Sequence, residues 1–168
     1  MWKTKQKTTE PENLQKAYDY AVFLLSLQLR TEGEVNKKMQ ERGYTEKVIG
    51  VTLARLKENR YLDDWRYAEV YVDNLKKYKS FGYYGIKKKL MEKRLPADII
   101  ESVLSQGLDE DEESQIAEKF LKKHKVTGKQ KILNRSSAEA DSDAKTKLAQ
   151  KLRARGFRNG VILACLKM

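Results

Sequence analysis

The chain has 168 residues, of which 40% are hydrophobic and 35% are charged, and its 35 Lys and Arg against 24 Asp and Glu give a formal net charge of +11. That length suits one ordinary domain or a short array of small units, and nine glycines with two prolines favour a helical protein. No apolar run approaches the roughly 18 residues of a membrane span, and the amino terminus lacks the apolar core of a secretory signal, so we expect a cytoplasmic protein.

The first predicted elements are three consecutive helices. Apolar residues over 14–25 recur at three- and four-residue spacing, which predicts an amphipathic helix with one buried face. Thr31 lies three residues before Glu34, a capping box that predicts the start of a second helix. Gly43 predicts the end of that helix, because a left-handed residue is favoured there. A third helix is predicted over 45–59.

The apolar positions of these helices recur along the chain. An offset of 51 residues places Ala17 on Ala68, and an offset of 49 places Ala68 on Ala117. Near the end of the chain the offset grows to 62, which places Leu104 on Leu166, so 13 residues are inserted in a third copy. Self-similarity at a fixed offset indicates a repeat architecture.

The repeat predicts an all-α fold in which three tandem three-helix units form a curved, elongated, solenoid-like array. We expect a flexible amino-terminal tail over 1–11, followed by units at 12–62, 63–111 and 112–168. The insertion falls in a polar stretch with no helical stripe, which predicts a loop around 125–142 in the third unit.

Asp63 and Asp64 lie side by side in NRYLDDWRYAEVYV, just before a helix-periodic run. Such a pair can be an acid/base couple or a metal site. However, the repeat also places acidic or capping residues before the first helix of the other units, at 12–13 and 112–113. An oxygen acceptor there binds free N–H groups, and negative charge favours the positive end of the helix dipole. We therefore interpret the pair as helix caps.

Glycine ends the second helix in the first and third units, at Gly43 and Gly156, whereas the second unit has Arg94. A non-glycine residue in the left-handed conformation costs about 1 kcal/mol, so the sequence predicts a different turn at Arg94. The residues that we assign to capping or to the unit junction are Thr31, Glu34, Gly43, Asp63, Asp64, Arg66 and Gly156.

Residue types that catalysis requires are scarce. His124 is the only histidine and Cys165 the only cysteine, which excludes zinc sites built from those ligands and Cys/His nucleophile pairs within one chain. TGKQ at 127–130 lacks the rest of a phosphate loop, and DEDEE at 109–113 lacks calcium-loop spacing. We expect no enzyme activity, no metal and no cofactor.

Two basic clusters remain, at 75–94 and 145–158, and the first interleaves lysines with aromatic residues. Positive charge beside aromatic rings suits phosphate attraction with base stacking, or equally an acidic protein groove; about half of the rings are expected to pack in the core. The candidate contact residues are Lys76, Lys77, Lys79, Tyr83, Lys87, Lys88, Arg153, Arg155 and Arg158.

YLDD leading into RYAEVYV, SFGYYGIKKKL, and KLRARGF near the end resemble the bacterial RecX family, regulators of the RecA recombinase in recombination and DNA repair. The likeness covers nearly the whole chain beyond the first ten residues or so. YLDDWRYAEVYV, similar to the family's junction motif, is its most specific element, and the insertion and Arg94 depart from the pattern. The resemblance implies a curved helical modulator that lies in the groove of the RecA–DNA filament, bridges protomers and limits filament growth, ATP hydrolysis and strand exchange.

Three functions stay open. The first is a non-enzymatic, monomeric regulator whose partners are the RecA filament and DNA, with weak, salt-dependent DNA affinity. The second is a stand-alone basic helical DNA-binding protein of the helix-turn-helix type. The third is a helical scaffold for another acidic protein.

Overall fold

The computed structural model describes residues 7–128 and 137–166, and over these ranges it contains helices and no strand. The α-helices of the described ranges are α1 (Leu14–Leu27), α2 (Glu32–Arg42), α3 (Glu46–Glu58), α4 (Asp64–Asn74), α5 (Tyr83–Glu92), α6 (Ala97–Gly107), α7 (Glu110–Gly128), α8 (Ser137–Ala154) and α9 (Asn159–Leu166). A π-helical turn (Leu75–Lys79) follows α4 directly. The predicted all-α class is confirmed.

The helices pack into two compact units. The first unit consists of the described residues up to Ala68 together with Leu90–Ile100. The second unit consists of Glu69–Lys89 and the described residues from Glu101 onward. The three-unit boundaries that the repeat predicts, and the curved, elongated arrangement of those units, stay predictions.

The core of the first unit forms where α1 packs against α2 and α3. Tyr20 and Leu24 of α1 lie in this core with Met39 and Leu56, and each of these side chains is almost completely buried. Burying one such side chain stabilises the fold by roughly 1.5–3 kcal/mol. The stripe that predicts α1 includes Tyr18 and not Tyr20, but in the structure Tyr20 is buried and Tyr18 is only partly buried.

Helix α2 begins and ends with the geometry that its sequence favours. The Thr31 hydroxyl accepts a hydrogen bond from the Glu34 N–H at 3.1 Å, and the Glu34 carboxylate accepts one from the Thr31 N–H at 3.4 Å. At the other end Gly43 adopts a φ of +94°, and its N–H donates to Met39 O at 3.1 Å. Both ends therefore satisfy backbone groups that the helix itself leaves unpaired.

The turn after α5 repeats that geometry without glycine. Arg94 has a φ of +59°, and Gly156, which follows α8, has a φ of +75°. After each turn the next residue is apolar and buried, Leu95 in one case and Phe157 in the other. The prediction of a different turn at Arg94 is wrong, because anchoring of the following apolar side chain offsets the cost of the left-handed backbone.

The end of the predicted amino-terminal tail differs from the structure. The N–H of Thr8 donates to Arg42 O at 2.7 Å and Pro11 O accepts from the Thr45 N–H at 3.2 Å, so residues 7–11 are held in place. Residues 1–6 of the predicted flexible tail lie outside the described ranges. Such a tail is expected from polar composition alone, which does not show long-range backbone contacts.

The predicted loop around 125–142 is helical over its described parts. Helix α7 continues to Gly128 and α8 begins at Ser137, while 129–136 lies outside the described residues. Lysine, alanine and glutamate favour helix intrinsically, so this stretch extends both helices without an apolar stripe.

Candidate functional site

Lys76 is one of the candidate contact residues, but its side chain is bound to other residues of the second unit. Its ammonium group donates to Gly107 O, at the end of α6, at 2.7 Å and to the Glu112 carboxylate at 2.9 Å, and lies 3.2 Å from the Asp73 carboxylate. Burial lowers the pKa of Lys76, but its hydrogen bonds to Glu112 and Asp73 outweigh burial and raise the pKa above its usual value. Lys76 therefore stays charged and joins α4, α6 and α7.

The side chain of Arg158 is also bound to other residues of the second unit. Its guanidinium donates to the Glu113 carboxylate and lies 5.1 Å from the centre of the Tyr83 ring. Glu113 is completely buried, and its Oε1 also accepts from the N–H of Tyr83 at 3.0 Å and the N–H of Arg158 at 2.9 Å. Since Tyr83 is the first residue of α5, this carboxylate caps a helix other than its own.

Asp64 does the same in the first unit. The N–H of Glu32, the first residue of α2, donates to Asp64 Oδ1 at 2.8 Å. Burial raises the pKa of the Asp64 carboxyl above its ordinary value, and the hydrogen bond from Glu32 opposes that shift. The repeat offsets place Asp64 on Glu113 and Glu32 on Tyr83. The two units therefore use the same cross-helix cap.

The N-terminal caps of α4 and α7 are other residues, Asp63 and Asp109. The Asp63 carboxylate accepts from the Arg66 N–H at 3.0 Å and starts α4, while the Arg66 side chain is exposed. Asp109 accepts from the Glu112 N–H at 2.7 Å and starts α7. The repeat predicts that 112–113 precedes the helix that became α7. This prediction is wrong, because Asp109 starts α7 earlier than the repeat offset indicates.

Two of the motifs that carry the RecX resemblance meet in the second unit. The N–H of Gly82 donates to Arg155 O at 3.1 Å, and a Cβ on Gly156 would lie 2.0 Å from Gly85 N. The Arg155 guanidinium donates to Lys79 O and lies 5.0 Å from the centre of the Phe120 ring. The two segments, SFGYYG and RARGF, therefore pack directly against each other. The close approach of their backbones requires glycine.

The first unit has a related junction between α2 and the end of α5. The Thr31 hydroxyl donates to Lys93 O at 2.5 Å, and the Lys93 ammonium group lies 3.0 Å from the Glu34 carboxylate. A Cβ on Gly33 would lie 2.5 Å from Arg94 O. The capping box that the sequence predicts is thus also part of the tertiary contact.

The other candidate side chains are more accessible. Lys77 and Lys79 of the π-helical turn are exposed, as are Lys88 of α5 and Arg153 of α8. Lys87 is partly exposed, and its ammonium group lies 3.9 Å from the Glu101 carboxylate.

The aromatic side chains of 75–94 differ in exposure, and the predicted contact residue is not the most exposed of them. Tyr83 is partly buried and contacts Tyr84 edge-on, with ring centres 5.3 Å apart. Tyr78 and Tyr84 are the exposed rings, with 67% and 59% of their surface accessible. Of the rings interleaved with lysines, the sequence prediction names only Tyr83 as a contact candidate, although Tyr78 lies between Lys77 and Lys79.

Within residues 7–128 and 137–166, no group of three or more His, Cys, Asp or Glu side chains is placed to hold a metal ion. Over the same part of the chain, none of the helices combines the length and apolar character needed to cross a bilayer.

Helical units that each contain a carboxylate capping a neighbouring helix, with exposed cations on their surface, define a helical repeat protein. Residues 17–56 match the family description "RecX, first three-helix domain", and residues 63–104 match "RecX, second three-helix domain". A regulatory protein RecX of Clostridium botulinum is 31% identical over 153 residues, covering 90% of this chain and 68% of the relative. The chain belongs to the RecX family.

Other relatives are longer than this chain. The regulatory protein RecX of Oceanobacillus iheyensis is 30% identical over 91% of this chain and 53% of its own length. The chain therefore spans about half the length of several curated relatives that it matches. The crystal structure of RecX from Lactobacillus salivarius shares the fold, with a TM-score of 0.78 at 24% identity over 92% of this chain and 94% of that one. A second structure, of a regulatory protein RecX, has a TM-score of 0.76 at 25% identity over 92% of this chain and 72% of that one.

Proposed function

We propose that this chain is a non-enzymatic regulator of the RecA recombinase in the cytoplasm. It binds as a monomer in the groove of the RecA–DNA filament and mainly inhibits filament growth, ATP hydrolysis and strand exchange. Membership of a family whose relatives are named regulatory proteins is the observation that carries the proposal. The RecX resemblance supplies RecA as the partner.

The contact surface that we propose lies on the second unit. It consists of the exposed cations Lys77, Lys79, Lys88 and Arg153, which can contact phosphates or acidic side chains. Lys76, Arg155 and Arg158 support this surface from inside, because their side chains hold α6, the π-helical turn and α7. Many modest contacts along a filament add through multivalency, and affinity should fall as salt rises.

Charge reversal of three contact residues tests the proposal. Combined Lys79→Glu, Lys88→Glu and Arg153→Glu should raise the concentration required for half-inhibition of RecA about tenfold, since each contact contributes roughly 0.5 kcal/mol. The measurements are ATP hydrolysis by RecA on single-stranded DNA and filament length in electron micrographs.

The matched control combines Lys7→Glu, Lys47→Glu and Lys122→Glu, three exposed lysines outside the proposed surface, for the same change in charge. It should inhibit RecA nearly as well as the unmodified chain. Equal weakening by both triple variants would reject the surface. Unchanged ATP hydrolysis and filament length with the unmodified chain would reject the function itself.

A stand-alone DNA-binding protein is the second candidate, favoured by three-helix units with a net charge of +11. A gel shift with duplex DNA and no RecA separates the two. Tight, sequence-selective binding would favour the second candidate, whereas weak, non-selective binding that disappears at moderate salt fits the first.

A further inference from the structure

The second unit contains an open groove of about 590 Å³ beside the π-helical turn. The end of α4 and the π-helical turn form one wall, and the first half of α7 forms the other. The contact between the Lys76 ammonium group and Glu112, at 2.9 Å, joins the two walls. Neither the cross-helix caps nor the proposed contact surface requires this cavity.

The groove has an accessible apolar part. Tyr78 and Val70 line it with 67% and 49% of their surfaces exposed, and the buried Ile116 contributes from α7. Tyr78 lies on a π-helical turn that ends at Ser80 in the left-handed conformation, with a φ of 50°. Because π-helical turns are rare and are frequent at functional sites, this backbone is a second feature of the same place that indicates binding.

The charges of the groove select the kind of partner. Lys77 and Lys119 place two exposed ammonium groups in its lining. The carboxylates of Asp73 and Glu112 also line it, and both contact the single ammonium group of Lys76. A nucleic-acid strand carries a negative charge at every nucleotide and would bring phosphates against these carboxylates. A peptide with one carboxylate beside an apolar side chain avoids that repulsion.

We propose that this groove docks a peptide segment of a protein partner, in which an apolar side chain lies within two residues of a carboxylate. The apolar side chain contacts Tyr78 and Val70, and the peptide carboxylate pairs with Lys77 or Lys119. Peptide N–H groups donate to the exposed carboxylate oxygens of Asp73 and Glu112. The groove is thus a protein-docking site that shares Lys77, but not Lys79, Lys88 or Arg153, with the surface that we assign to the filament. Its test requires no RecA.

Fluorescence anisotropy with the intact chain tests this proposal with three fluorescein-labelled probes. The first is a ten-residue peptide with a central Phe–Leu pair and one glutamate within two residues of it, the second replaces that glutamate with lysine, and the third is a ten-nucleotide oligothymidine. The acidic peptide should bind at least tenfold more tightly than the basic one. Tyr78→Ala should weaken that binding about fivefold, because it removes the exposed ring that contacts the anchor.

Tyr61→Ala is the matched control, since Tyr61 is an exposed tyrosine of the first unit that does not line the groove. It should leave the affinity unchanged. Absence of binding by the acidic peptide, or equal loss in the two tyrosine variants, would overturn the proposal. So would oligothymidine binding that is tighter than peptide binding and equally sensitive to Tyr78→Ala, because the groove would then be a nucleic-acid site.

Discussion

At the end of α5 a single residue, Arg94, occupies a conformation that favours glycine, with a φ of +59° and an exposed side chain. Arg94→Gly should raise the free energy of unfolding by up to about 1 kcal/mol, because glycine removes the steric cost of the left-handed backbone. Urea denaturation followed by circular dichroism measures the change.

Arg66→Gly supplies the matched control, because Arg66 is also an exposed arginine but lies inside α4. Arg66 is the third residue of α4, and glycine in the first turn of the helix should lower the free energy of unfolding by up to about 1 kcal/mol. The two substitutions therefore differ in sign. A loss of stability at Arg94 as large as the loss at Arg66 would show that the turn after α5 is not strained.

At the scale of the helices, Glu113 joins the starts of α5 and α9 through the N–H groups of Tyr83 and Arg158. Glu113→Ala should lower the free energy of unfolding by roughly 3–5 kcal/mol, because it leaves the Arg158 Nε–H and two backbone N–H groups without their acceptor. Chemical denaturation measures the loss, and hydrogen exchange of the Tyr83 amide reports it locally.

Glu110→Ala is the control for that substitution. Glu110 also pairs with Arg158, at 3.5 Å, but 75% of its side chain is exposed. Removing it should cost less than about 1 kcal/mol, because exposed ion pairs contribute little. If the two alanine variants were equally stable, the buried carboxylate would not be the cap that holds these helices.

The same helices show what the sequence can and cannot predict. Thr31 with Glu34 and Gly43 predict the ends of α2, because local hydrogen bonds decide them. The partner of Asp64 is 32 residues away and that of Glu113 is 30 or 45 residues away, so no local pattern shows which N–H each carboxylate caps. A side chain can reach its own helix or a neighbour, and packing decides between them.

At the scale of the whole molecule, the basic clusters were visible in composition, but the use of each cation was not. Lys76 and Lys77 are adjacent in sequence, yet Lys76 is tied to three groups while Lys77 is exposed. Charge patterning therefore predicts a basic protein that favours a negatively charged partner, but does not choose between nucleic acid and an acidic protein. The rotation of each helix against its neighbours decides which lysines remain for binding.

The net charge of +11 also affects stability, because like charges on one chain repel each other when it folds. Raising NaCl from 10 to 150 mM shortens the screening length from about 30 to about 8 Å. The melting temperature should therefore rise by a few degrees, since about 1 kcal/mol corresponds to roughly 2–4 °C in a protein of this size. Differential scanning calorimetry of the unmodified chain measures the shift.

The Lys7→Glu, Lys47→Glu and Lys122→Glu variant supplies the comparison, because each substitution lowers the net charge by two, from +11 to +5. With less repulsion to screen, its melting temperature should rise less over the same range of salt. A melting temperature that falls with salt in the unmodified chain would show that screening of attractive pairs, such as the one between Lys93 and Glu34, outweighs screening of the net charge. An equal rise in both proteins would instead assign the effect to ion binding or to strengthened burial of apolar surface.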